Sequence, residues 1–465
     1  MLISQVKEFS DRMKMAFGLE KCKIVHVKHG ALDTSSGEEF RIDEEKMIQT
    51  LRQDENEYKY LGILELNQIK HNKMKEQVTA EYVKRIKATL KSQLTARNKI
   101  TTINTLAVPV MRYSGGILKW TRLELQEIDR RTRKLITMHR GFAMRADVDR
   151  LYTSRNEGGR GLLSVEETVK LEETRMETTQ KDNKAESISA VQKMKEVMKR
   201  NRYDGWKLKP MHGQYIRQLE DNVDIERTFQ WLRKSDLTIE TEGFITAAQD
   251  QAIQTRSIAK SLYHTASSDM CRMCNKHVES INHILAECPF IAQTLYMERH
   301  NQVAAYIHWK LSKINTLEID CDSWTQHIPS KITENSHTKI LWDCNIFTDS
   351  KISARRPDIV VVNKTTNTGF IIDINCPSDR NVCVNETKKM LKYSELKIEV
   401  ERIWKIHFEI VPIVIGCLGA VSKCLPQHLK RIGLDTSDII KLQEMTLLSS
   451  CRILRLCVTQ SGIQL

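Results

Sequence analysis

The chain has 465 residues, with 72 Lys and Arg against 59 Asp and Glu, a formal net charge of +13 and a pI of about 9.1. That length exceeds one hydrophobic core and suggests about two to four units, and the positive balance favours an anionic partner such as nucleic acid. No run approaches about 18 consecutive apolar residues and no signal pattern opens the chain, which speaks against membrane and secreted classes. A soluble, intracellular protein follows, in which twelve cysteines are reduced thiols with room for one metal site rather than disulfides.

In chain order, residues 6–15 read as a helix, and residues 23–27, 40–42 and 58–63 as short strands of a mixed α/β unit over 1–66. The strings at 17–22 and 58–63 together resemble the closing part of a reverse-transcriptase palm. Any small α/β sheet is the structural alternative. No aromatic-x-Asp-Asp string precedes Phe17, and two-metal polymerisation needs such carboxylates, so this chain alone is not expected to polymerise DNA.

Residues 67–176 read as a helical unit. Val83, Ile86, Leu90 and Leu94 recur at helical spacing, Pro109 and Gly115-Gly116 interrupt the pattern, and a second helix covers 123–138. Between Leu61 and Arg140 there are 17 Lys and Arg against six Asp and Glu, so this segment carries most of the excess charge. Arg130, Arg131, Arg133 and Lys134 are candidate phosphate contacts, with a merely solvated helix face as the alternative. A basic helical bundle after a palm resembles a reverse-transcriptase thumb. Gly158-Gly159-Arg160-Gly161 is too glycine-tight for a dinucleotide loop and reads as a turn before a helix over 165–173. A charged stretch over 178–201 reads as an exposed helix or tether within a helical linker, 177–265.

A zinc site is expected in residues 266–315. Cys271, Cys274, His283 and Cys288 combine soft thiolates with an imidazole at short spacing, which suits tetrahedral Zn²⁺. The first pair belongs to a tight knuckle, and His283 and Cys288 follow from a short helical turn. His277 competes, but its spacing leaves little room to wrap a metal. The nine other cysteines read as small core residues.

Residues 316–465 carry the most informative pattern. Arg356-Pro357-Asp358 opens an apolar run over 359–362, a polar turn follows, and a second apolar run over 370–372 ends at Asp373. A hairpin centred on Thr365-Thr366 puts Asp358 directly across from Asp373, with Cβ atoms roughly 4.5–5.5 Å apart. Two facing carboxylates in a Val/Ile hairpin call for compensation, and Mg²⁺ or Mn²⁺ with waters supplies it; two solvated acids at a sheet edge are the alternative. One long helix is expected over 380–404, with Tyr393, Leu396, Val400, Ile403 and Trp404 on its apolar stripe. Lys389 lies on the same side with Lys392 adjacent, placed to offer a cation where a phosphoryl transition state gathers negative charge.

This constellation resembles the PD-(D/E)xK nuclease superfamily, except that Asn375 stands where a lysine is usual. Reading outward, residues 355–360, 371–379 and 389–393, Ile415-Gly416 and a helix over 442–456 resemble the restriction-enzyme-like endonuclease of site-specific non-LTR retrotransposons. In that branch the lysine is supplied by the following helix, which leaves either Lys389 or Lys392 for the role. The resemblance covers nearly the whole chain in one order, and the zinc spacing resembles the motif between thumb and endonuclease. It implies an α+β multidomain chain: palm remnant, mostly helical thumb and linker, small zinc knuckle and C-terminal α/β nuclease. It also implies target-primed reverse transcription in the nucleus, on a DNA target and the element's RNA. Asp358 and Asp373 would hold Mg²⁺ or Mn²⁺ and Lys389 or Lys392 would polarise water or phosphate. Tyr393, counted with them in the catalytic set, would pack beside or contact the strand, and Arg355 and Arg356 would anchor phosphates. The competing expectation is a non-catalytic fragment that binds RNA or DNA through the thumb and zinc motif.

Overall fold

The computed structural model describes residues 69–179, 184–219 and 221–459, and shorter pieces between residues 2 and 65. In those pieces a helix spans Leu2–Arg12, and the expected strands form three separate two-stranded ladders. Val27–Lys28 pairs with Ala31–Leu32, Phe40–Arg41 with Met47–Ile48, and Tyr58–Tyr60 with Ile63–Glu65. The strand expected over 58–63 is thus two strands that fold back on each other near Gly62, whose φ of +86° is open to glycine at no steric cost. Residues 16–21, in the first half of the palm-like pair, lie outside the described residues.

Helix α1 (His71–Lys91) buries Met74, Tyr82, Val83, Ile86 and Leu90 and ends at Ser92, so Leu94 is exposed beyond it rather than on the stripe. Helix α2 (Ala96–Thr102) passes through a π turn (Ile103–Ala107) into α3 (Val108–Gly115). Pro109 sits in the first turn of α3, where its missing N–H costs no helical bond, so it starts a helix as well as interrupting one. Helix α4 (Arg122–Met138) opens on a capping box between Thr121 and Glu124. Helix α5 (Val165–Thr179) packs on α6 (Lys184–Leu208), which buries Trp206 and so is anchored at one end. The glycine turn forms as expected, with φ of +88° at Gly158 and +72° at Gly161. Arg160 within it is buried against Glu242 of α7 (Ile239–Gln249), which Arg155 also reaches at 2.7 Å.

One apolar core runs from Tyr82 through Trp206, Trp231 and Ile245 to Cys271, Cys288 and Val458. It crosses the positions 176/177 and 265/266 at which separate units were expected.

The C-terminal part is layered. After α8 (Met297–Ile314) come β1 (Ile332–Glu334), β2 (Thr338–Trp342), β3 (Ile359–Asn363) and β4 (Thr368–Asn375). Helices α9 (Val382–Lys392) and α10 (Ser394–Trp404) then cross to β5 (His407–Val414), followed by α11 (Leu425–Arg431) and α12 (Asp438–Thr459). The sheet order is β5-β4-β3-β2-β1, antiparallel except for the parallel β4–β5 pair that the helical crossover joins. Ile359, Val361, Ile372 and Ile374 pack under α8, α11 and α12. Val360, Val362 and Ile371 face Tyr393, Leu396 and Val400 on the other side. Burial on both faces explains why β3 and β4 read as nearly unbroken Val/Ile runs.

The helix expected over 380–404 is two helices. The chain breaks at Tyr393, with φ −105° and ψ 8°, which drops its ring into the core and lets both helices follow a twisted sheet. Ile403, expected on the apolar stripe, is exposed in consequence. Helix α8 precedes residue 316 yet supplies Val303, Ala304, Ile307 and Leu311 to the sheet core. Helix α12 gives Leu442 and Met445 to that core and Cys451, Leu454 and Val458 to the larger one, tying the two together. Among the described residues no helix is long and apolar enough to cross a membrane.

Candidate active site and metal centre

The β3–β4 register pairs Ile359 with Ile372, which is the register the hairpin argument expected; the ladder ends there, and Asp358 stands one residue outside β3. Asp373 lies at the end of β4 on the α9–α10 face and is 1% exposed. The Lys389 ammonium presses on its Oδ2, and Lys392 Nζ lies 3.6 Å from Oδ1. Helix α9 therefore delivers both lysines to one acid. Tyr393 stands beside them: Lys392 Nζ donates to its hydroxyl at 2.8 Å, and that hydroxyl donates to the Arg356 carbonyl at 3.2 Å. Burial, and then the Asp373 charge, push the Tyr393 hydroxyl far above its ordinary range, so it stays protonated.

Asp358 is more open. Its Oδ2 accepts the Ile374 N–H at 2.6 Å and faces His300 Nε2 at 3.0 Å. Burial works against a charged His300, but the hydrogen bond and charge of Asp358, with Asn301 and the Asp373 charge, together outweigh it and raise the imidazole pKa. Neither His300 nor its neighbour Arg299 was singled out from the sequence. The signal was available: residues 300, 304, 307 and 311 lie on one helical face, and the last three pack on the sheet. Arg299 is buried and donates to the carbonyls of Leu285 at 2.8 Å and Cys376 at 3.1 Å, and to Ser450 Oγ at 3.1 Å.

Arg355 and Arg356 are both exposed. Arg356 makes a two-point ion pair with Asp343, both contacts at 2.6 Å, and Asp343 also accepts from Lys331. Asp343, Arg356, His300 and Asp358 line a cavity of about 810 Å³ between α8 and the sheet.

As to a divalent cation, two carboxylates are the hard oxygen ligands Mg²⁺ or Mn²⁺ prefers. Among the described residues Asp358 Oδ1 has no hydrogen bond, and the buried Asp373 Oδ2 accepts no aligned one despite the adjacent ammonium. The donor set fits a cation that keeps several waters.

The second cluster is closed. Ligand atoms of Cys271, Cys274, His283 and Cys288 all lie within 4.8 Å of one another. Cys271 Sγ and Cys288 Sγ are 4.0 Å apart, close to the roughly 3.8 Å that tetrahedral geometry with Zn–S bonds of about 2.3 Å requires. The knuckle turns through Asn275 at φ +52°, is closed by the Met270–Val278 bridge, and is held by the Arg272–Glu279 ion pair at 2.6 Å. His283 lies on a π turn (His283–Glu287), the helical turn expected from the spacing. Burial works against a Cys274 thiolate, but the backbone N–H groups of Lys276 and His277, with the thiols of Cys271 and Cys288, together outweigh it and lower the pKa. Burial lowers the His283 pKa, leaving a neutral imidazole ready to ligate. Burial, together with the other two thiols, pushes Cys288 up to about 12, which a bound cation would reverse. The four residues could bind a metal such as zinc. His277 only packs its ring against His283, at 5.4 Å between centroids. Of the other cysteines, Cys376, Cys417, Cys451 and Cys457 are buried, whereas Cys424 is exposed, contrary to the expectation that all were core.

In the basic string of α4, the helix period separates the residues. Asp129 and Thr132 face inward: Asp129 accepts Ser164 Oγ at 2.6 Å and Val165 N at 2.8 Å, and so caps α5. Arg133 is half-buried and donates to Tyr152 at 3.0 Å. Arg130, Arg131 and Lys134 point to solvent, with Arg130 also reaching Glu127 at 2.5 Å.

No protein-family model matches the chain, and no curated protein is significantly similar to it.

Proposed function

We propose that the C-terminal layer is a metal-dependent endonuclease that nicks DNA. The observation that carries this reading is the Lys389 ammonium on the buried Asp373 of β4, with Asp358 just before β3, one step beyond the Ile359–Ile372 pair. Asp358 and Asp373 would hold Mg²⁺ or Mn²⁺, which when bound would supply Lewis-acid stabilisation of a phosphoryl oxygen. Lys389, backed by Lys392, places positive charge where the transferring phosphoryl group gathers negative charge. Tyr393 holds the helix break that aims these lysines, and His300 and the Ile374 amide orient Asp358.

The resemblance read from the sequence extends the proposal. The chain would be the C-terminal portion of a non-LTR retrotransposon reverse transcriptase with a restriction-enzyme-like endonuclease. It would act in the nucleus on a DNA target during target-primed reverse transcription of element RNA. The exposed Arg130, Arg131 and Lys134 support a phosphate-binding surface on the helical part, and the Cys/His cluster supports structural Zn²⁺. A supercoiled-plasmid nicking assay in Mg²⁺ tests the core of the reading. The parent should produce open circles and Asp358→Ala should not; equal nicking by both would leave the acids without a catalytic role.

A further inference from the structure

The 810 Å³ cavity beside Asp358 is larger than two acids and a cation require. It falls within the range of about 300–1,000 Å³ typical of small-molecule pockets. Its walls are neither plainly apolar nor plainly charged. Tyr296 on the helical side and Trp342 at the end of β2 are among its lining residues, as are Asn375 and Asn385, whose side-chain amides are paired with each other. Asn375 Nδ2 donates to Asn385 Oδ1 at 3.0 Å, and Asn385 Nδ2 donates to the Asn381 carbonyl at 2.8 Å. Each amide nitrogen carries a second hydrogen and each amide oxygen a second lone pair, so the pair presents a donor–acceptor edge. Two buried polar atoms of the lining residues are also unpartnered: Ser378 Oγ and Arg299 Nε, each on a residue 2% exposed. A buried polar group without a partner is costly and calls for an explanation. Asn375, the departure from the superfamily's lysine, belongs to this wall and not to the Asp373 cluster.

Aromatic residues, an amide edge and the Arg356 guanidinium, whose Nη1 takes no part in the pair with Asp343, are the chemistry that takes up a nucleotide removed from the stack: ring against ring, base edge against amides, phosphate against guanidinium. A paired base offers only its groove edges and cannot reach into a half-open cleft between α8 and the sheet. We propose that this cavity is a subsite for one unpaired nucleotide of the DNA strand, next to the scissile phosphate. The proposal rests on the nuclease reading above and specifies its substrate: DNA with a bulged, flipped or frayed base at the cut, in preference to a continuous duplex.

The experiment uses the full zinc-loaded chain in Ca²⁺, so that binding is read without cleavage. Two duplexes of one sequence are compared, one carrying a single unpaired 2-aminopurine nucleotide and the other fully paired. The subsite predicts affinity on the order of tenfold higher for the unpaired duplex. It also predicts a 2-aminopurine that becomes shielded from acrylamide when the protein binds. Asn385→Phe, which puts a ring into the cavity, should abolish both the preference and the shielding while affinity for the paired duplex persists. Asn375→Ala, which removes an amide without adding volume, should weaken both, and it decides the question if Asn385→Phe does not fold. Equal affinity for the two duplexes, or shielding that survives these substitutions, overturns the subsite. A stronger preference for the same bulge in RNA overturns the DNA assignment. A parent that shields the base but does not nick plasmid in Mg²⁺ removes the nuclease reading alone, and one that nicks without shielding removes the subsite alone.

Discussion

Lys389→Met and Asp373→Asn should have unequal consequences for stability and the same consequence for chemistry. Asp373 has a 2% exposed side chain and draws its compensation from Lys389, itself 20% exposed, and from Lys392 at 3.6 Å. Removing one partner of a buried ion pair typically costs about 3–5 kcal/mol, because the other charge is left in low dielectric. Lys392 is 45% exposed, and an exposed pair returns at most about 1 kcal/mol, so Lys389→Met should cost about 2–4 kcal/mol. Asp373→Asn keeps the volume and removes the buried charge, and Lys389 can turn toward water. Its cost should stay below about 1 kcal/mol, and adding it to Lys389→Met should recover at least half of the loss. With two joined cores a single unfolding free energy is poorly defined, so hydrogen exchange of the β3 and β4 amides is the right measure. All three variants should fail to nick plasmid, the double variant included despite its recovered protection. The reasoning is refuted if Lys389→Met leaves β4 protection within about 0.5 kcal/mol of the parent, or if Asp373→Asn restores none of it.

Burial depresses His308 to about 4 from an ordinary 6.5, so the unfolded chain takes up the proton first. Stability should be full above pH 6.5 and fall toward pH 4 by up to about 3 kcal/mol, and His308→Gln should flatten that slope in urea melts at pH 7.5 and 5. Stripping the Cys/His cluster with a chelator should cost on the order of several kcal/mol, since Cys271 and Cys288 belong to the main core. Cobalt substitution should give the absorption of a tetrahedral thiolate site, and a metal-free chain that melts like the parent would remove the centre. A Cβ at Gly416 would collide with the Asp379 carboxylate, which accepts the amides of Leu418 and Ala420 at 2.8 Å each, so Gly416→Ala should cost about 1–3 kcal/mol in thermal melts. Replacing Arg130, Arg131 and Lys134 together by Gln should lower the slope of log affinity for DNA against log salt by about 2–3, whereas Arg133→Gln, engaged with Tyr152, should leave it unchanged.

What the sequence made legible was local and periodic. Strand alternation and turn position gave the β3–β4 register, and ligand spacing gave the Cys/His cluster, because each is settled within about thirty residues of chain. Helical period placed Lys389 over the sheet, yet it missed the break at Tyr393, because the cost of breaking a helix is returned only by a core that forms with β3, β4 and β5. The same limit hid His300 and Arg299, whose partners lie 58 and 77 residues away along the chain.

That long-range layer is what joins the Cys/His cluster to the Asp358 and Asp373 carboxylates. Arg299 holds the Leu285 carbonyl, inside the π turn between the ligands His283 and Cys288, and the Cys376 carbonyl, three residues after Asp373. The next residue, His300, contacts Asp358. Tyr296, one turn earlier, donates to the Ile284 carbonyl at 2.7 Å and accepts the Cys288 N–H at 3.0 Å. Loosening the Cys/His cluster therefore removes the carbonyl that fixes Arg299 and, through it, the rotamer of His300. A single helix start carries this coupling, so Arg299→Lys should test it without removing either set of ligands. A lysine offers one point charge where the guanidinium bridges three acceptors, so metal content should persist while nicking falls. Nicking that survives Arg299→Lys undiminished would mean the two sites share a core but not a mechanism.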